Sequence, residues 1–118
     1  MSTYAEYYLW AGIARDSDGE WRFEGESSSL LEEVAAGGLG GVERDGLRFV
    51  EIDMHGVSVG VGVVIAELSW ETAIGKANEF DPSVGDRARD ILQRVQAVFA
   101  ADGIRVVVKL YHHLDLGG

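Results

Sequence analysis

The chain has 118 residues, with twenty acidic against ten basic side chains, a formal charge of −10 and no cysteine. That length suits one domain with its own core, and the missing thiols exclude disulfides, thiolate metal sites and cysteine nucleophiles. The charge is uneven: residues 1–59 hold twelve acidic and four basic side chains, the rest eight and six.

Taken in order, Thr3 to Ala14 alternates as a strand does, with Tyr8 and Trp10 on one face and Tyr7, Leu9 and Ile13 on the other. Asp16-Ser17-Asp18-Gly19 is a turn signal, and Glu20 to Glu24 reads as the returning strand of a hairpin that sets Ala14 opposite Phe23 and Asp16 opposite Trp21. Asp16, Asp18 and Glu20 have the alternate spacing of calcium ligands. The calcium-loop template then puts Trp21 where it requires glycine, so the stretch reads as a solvated hairpin tip. Ser29 and Glu32 form a capping box for a short helix ending at Gly37-Gly38. Gly37 to Gly46 reads as a mobile loop, with no lysine to make it a phosphate cradle.

Leu47 to Leu68 is a predicted hairpin turning at His55-Gly56. That turn sets Met54 against Val57, Ile52 against Val59 and Val50 against Val61. On the opposite face Asp53 meets Ser58, Glu51 meets Gly60 and Phe49 meets Gly62. Ser69 caps a predicted helix over 70–80, which Asp81-Pro82 ends. A longer helix starts at Ser83 with Asp86 and buries Val84, Ala88, Ile91, Leu92, Val95, Val98 and Phe99. Asp90 and Arg94 pair outside, and Gly103 closes it. Ile104 to Leu114 is the last strand, whose Arg105 and Lys109 suit an exposed edge.

This order predicts a single α+β domain over 1–118: an antiparallel sheet with helices on one face, in the split βαβ, ferredoxin-like plan, with an extra N-terminal hairpin strand. The sequence contains no nucleophile elbow, dinucleotide fingerprint or P-loop, since Gly60-Val61-Gly62 lies mid-strand. His112 and His113 are adjacent and point to opposite faces, and His55 sits in a turn, so neither a metal nor a cofactor is assigned. No apolar run approaches the roughly 20 residues of a membrane span, and no basic leader opens the chain; a cytoplasmic protein without membrane or nucleic-acid partners is expected.

The low floor of Ser58, Gly60 and Gly62, flanked by Glu51 and Asp53 and neighboured by Glu6, Tyr8, Trp10 and Phe49, is the expected partner-binding face. On this basis the chain reads as a small acidic binding protein that engages a basic protein partner, as an immunity protein or an inhibitor of a toxin or nuclease does. The alternative is a homodimeric α+β barrel-like small-molecule binder or enzyme, with a pocket between aromatic and glycine sheet faces and Gly37 to Gly46 as its lid.

Overall fold

A computed structural model of the chain describes residues 4–21, 23–25, 28–37, 40–54, 57–69 and 82–117, with residues 4–6, 24, 54, 68–69 and 113–117 described by their backbone alone. The helix expected over 70–80 and the His55-Gly56 turn lie outside the described residues. The elements are β1 (Tyr4–Ala14), β2 (Glu24–Gly25), α1 (Ser29–Gly37), β3 (Val42–Arg44), β4 (Leu47–Met54), β5 (Val57–Ser69), α2 (Ser83–Ala101), β6 (Ile104–Arg105) and β7 (Lys109–Gly117).

Five strands form one antiparallel sheet in the order β3-β4-β5-β1-β7. The α+β class is as expected. The long strands alone run β4-β5-β1-β7, with α1 between β1 and β4 and α2 between β5 and β7, which is the split βαβ order. Among the described residues, no helix is long and apolar enough to cross a membrane.

The first hairpin departs from expectation. Its tip is a tight turn in which the Asp16 Oδ1 accepts the amides of Asp18 (2.9 Å) and Glu20 (3.0 Å). The return makes one bridge, Arg15 to Trp21, a residue away from the predicted register. The chain then leaves the sheet, and Glu24–Gly25 pairs with Ile104–Arg105 as a separate two-stranded sheet. The crowding explains this: β1 already holds β5 on one side and β7 on the other, so no long edge remains for a returning strand.

Both helices pack on one face of the sheet. Ala11 and Ile13 of β1, Leu47 and Phe49 of β4, and Val61, Val63 and Ile65 of β5 share one buried cluster with Leu30, Leu31 and Val34 of α1 and Val84, Ala88, Val95, Val98 and Phe99 of α2. The stripe of α2 is the predicted one, with Ile91 and Leu92 packed at its margin, and Asp90 and Arg94 pair at 3.7 Å. Phe49 and Phe99 meet edge to face at 5.6 Å between ring centroids. Gly103, at φ 84°, follows the helix end as predicted.

The start of α1 is held from a distance. Ser28, one residue before the predicted cap, accepts the Leu31 amide on its Oγ at 3.0 Å. The carboxylate that completes the cap is Asp102, just past the end of α2, and not Glu32. It accepts Ser28 Oγ–H, Ser29 Oγ–H (2.7 Å) and the Leu30 amide (3.2 Å). Desolvation by itself would raise the Asp102 carboxyl, but these hydrogen bonds, with the nearby Arg44 charge, outweigh it and hold the group below its ordinary value. A lowered pKa in the folded state means that the stabilisation is complete above the unfolded-state value and is lost as pH falls through the folded one. Asp102→Asn is therefore expected to cost about 1–2 kcal/mol at neutral pH. In denaturant titrations that deficit should shrink as acid protonates the wild-type carboxylate.

Two more stretches differ from the sequence reading. Gly37 to Gly46 is not a plain loop, because Val42–Arg44 pairs with β4 through a tight Asp45-Gly46 turn whose φ values, 52° and 74°, are those of a primed hairpin turn. The last strand is split in two. Gln96 of α2 donates from Nε2 to the Val106 carbonyl and accepts the Val108 amide on Oε1, both at 2.7 Å, so a side chain takes the place of a neighbouring strand over 106–108.

Candidate functional site

The positions of Phe49, Glu51, Asp53, Ser58, Gly60 and Gly62 follow from one irregularity between β4 and β5. Met54 opposes Val57 and Asp53 opposes Ser58, as the hairpin register requires, but a bulge between Ile52 and Asp53 then sets Ile52 against Gly60, Glu51 against Val61 and Val50 against Gly62. Val59 is the extra residue. A shift of one residue exchanges faces. Phe49 and Glu51 therefore stand on the helix-covered side with Val61 and Val63, whereas Gly60 and Gly62 stand on the other side with Val50 and Ile52. The single face expected to unite Phe49 and Glu51 with the glycine floor is divided between two sides of the sheet.

On the uncovered side the floor is filled from within the chain. Trp10 is 2% exposed and its ring lies over Gly60: a Cβ there would sit 2.5 Å from Cη2 of the indole. Tyr111 stacks on Trp10 with centroids 4.7 Å apart and planes at 28°. Tyr8 is half-buried two residues along, and Ile52 is buried beside the glycines. Gly62 has a different cause. It pairs directly with Gly12 across β1 and β5, and a methyl group on it would fall inside contact distance of the Ala11 carbonyl. These glycines thus admit an indole and a close pair of backbones, and the floor that looked bare in sequence is occupied. Glu6, in β1, stands in register with Ser69 and Asp115, far from Glu51.

On the helix side the bulge builds something else. Arg15 follows Ala11 and Ile13 on that face, and its guanidinium lies 3.9 Å from the centre of the Trp21 ring. Its Nη2 is 3.7 Å from Glu51, its Nε donates to Ser58 Oγ at 3.3 Å and its Nη1 donates to the Gly19 carbonyl at 3.0 Å. One arginine thus ties the hairpin tip, the Trp21 bridge and the bulged strand together. Next to it opens a cleft of about 280 Å³, walled by Trp21, Phe23, Leu31, Ala35 and Val61, with Glu32, Glu51 and Arg15 at its margin.

The cleft lies at the acidic end of the sheet. Asp16, Asp18 and Glu20 of the turn and Glu51 and Asp53 of β4 stand at that end, and two carboxylates border the cleft itself, Glu32 of α1 and Glu51, against Arg15. Farther along, Glu33 pairs with Arg44, and Glu43 with Arg48. Asp18, Glu20, Glu32 and Asp53 have no ion-pair partner among the described residues. Among those residues there is also no group of three His, Asp or Glu placed to hold a metal ion.

Of the predicted residues, Glu51, Asp53 and Ser58 belong to this acidic end, while Tyr8, Trp10, Gly60 and Gly62 belong to the opposite side. Phe49 belongs to the core. Sequence reasoning missed Arg15, Trp21, Phe23 and Glu32 as a group, although Trp21 and Phe23 carry an available signal: two aromatics at alternate positions beside a hairpin tip.

No family model, curated protein or solved structure matches the chain.

Proposed function

We propose that the protein is a small acidic binding protein whose cleft beside α1 receives a basic protein partner, in the manner of an inhibitor or immunity protein of a toxin or nuclease. The observation that carries this reading is the pairing of apolar walls, Trp21, Phe23, Leu31 and Val61, with two carboxylates at the margin: Glu32, which has no ion-pair partner among the described residues, and Glu51, which faces Arg15. A lysine or arginine of the partner has the matching form, with an aliphatic stem for the aromatic walls and a charged head for Glu32 and its neighbours. The −10 charge steers such a partner on approach, and the contrast between the charged rim and the apolar walls gives orientation.

The test is an NMR titration of isotope-labelled protein with an arginine-containing basic peptide and with its glutamate-substituted counterpart, at low and high salt. Shifts should gather at the Trp21 indole, Leu31, Glu32 and Glu51, with affinity falling as salt rises. Glu32→Lys should weaken binding roughly five- to tenfold, since it reverses one rim charge. Shifts scattered over all acidic surfaces, or an E32K variant that binds as well as the wild type, would contradict the reading.

A further inference from the structure

β7 closes one edge of the five-stranded sheet, and among the described residues no strand pairs with its outer side. It is nine residues long, Lys109–Gly117, contains no proline, and runs against β1 without a bulge. A long regular edge presents a row of unpaired amides and carbonyls that favours another strand, and Leu110 on it is 44% exposed.

We infer that two copies of the chain join β7 to β7, antiparallel, about a two-fold axis at His112, making one continuous ten-stranded sheet. A two-fold axis normal to the sheet leaves each residue on its own face, so only registers that oppose residues of like parity are possible. Centring on Tyr111 sets Lys109 against His113, and centring on His113 sets Lys109 against Gly117 and Tyr111 against Asp115. Centring on His112 sets Lys109 against Asp115 of the second copy and Leu110 against Leu114, each pair occurring twice by symmetry.

The charges inside one copy point the same way. In the β1–β7 register the backbone position of Asp115 stands opposite that of Glu6, so two acidic residues share one rung, while Lys109 stands opposite Gly12 and has no ion-pair partner among the described residues. The join brings the lysine of each copy to the paired carboxylate positions of the other. It leaves the cleft clear, because α1 packs on β3 and β4 at the opposite side of the sheet. The dimer therefore stands or falls independently of the binding reading.

Sedimentation velocity on the wild type, K109E, D115K and the double variant K109E/D115K tests it, with circular dichroism to compare their folding. The wild type should be a dimer, and each single reversal should weaken it roughly tenfold or more, since two symmetric cross-strand pairs turn repulsive. The double exchange restores opposite charges and should restore the dimer. A wild type that stays monomeric at its highest soluble concentration, a dimer indifferent to K109E, or a double variant no stronger than the singles would overturn the inference.

Discussion

Phe49→Ala is expected to destabilise the protein by about 3–5 kcal/mol, the cost of removing a fully buried aromatic ring. Phe49 is 0% exposed, lies in the cluster shared by both helices, and meets Phe99 edge to face. Its removal leaves a cavity between β4 and α2 that neither backbone can close alone, because each is held in its own hydrogen-bonded element. Denaturant unfolding followed by circular dichroism measures the effect. A loss under about 1 kcal/mol, the range of surface positions, would mean that Phe49 does not face the helices.

Gly62→Val should be comparably severe, about 3 kcal/mol or more, at the upper end of overpacking costs. The added Cβ meets the Ala11 carbonyl, the Ala11 carbonyl carbon and the Gly12 Cα, all backbone atoms of β1. No side chain is there to rotate away. The strands must separate at the middle of the sheet, where β1 and β5 are paired from Glu6 to Ala14. The expected results are a lower midpoint in thermal unfolding and faster amide exchange along Gly12 and Ile13. A variant as stable as the wild type would show that the two backbones are not in close contact.

Much of the fold was legible because hydrophobic period and turn chemistry agree in most segments. β1, α2 with its buried stripe, and the split βαβ order follow from alternation, helical spacing and element order. The bulge was not legible. With Val59 inside the ladder, Val50 and Ile52 would face the valines of β5; with Val59 extruded, Leu47 and Phe49 do so, and each register gives β4 one apolar face. The choice is made by distant partners, Phe99 receiving Phe49 and Trp10 needing Gly60 beneath its ring.

The same limit applies to the ends of elements. Asp102 caps a helix that begins over seventy residues earlier, and Gln96 replaces a strand for Val106 and Val108. Both are side-chain to distant-backbone or side-chain contacts that no local window contains. The Asp45-Gly46 hairpin is the opposite case: its dipeptide is a strong turn signal, hidden only by the surrounding glycines.

For the candidate site, the sequence reading gave Glu51 the wrong set of neighbours. Glu51 does not border the glycine floor. It faces Arg15 and the Trp21 cleft on the other side, and this relocation is what joins a carboxylate rim to apolar walls.

Cross-strand backbone NOEs between β4 and β5 test that relocation most directly. The bulged register predicts Glu51 opposite Val61 and Val50 opposite Gly62. Contacts placing Glu51 opposite Gly60 and Val50 opposite Val61 would contradict it, return Phe49 and Glu51 to the glycine face, and dissolve the cleft on which the proposed function rests.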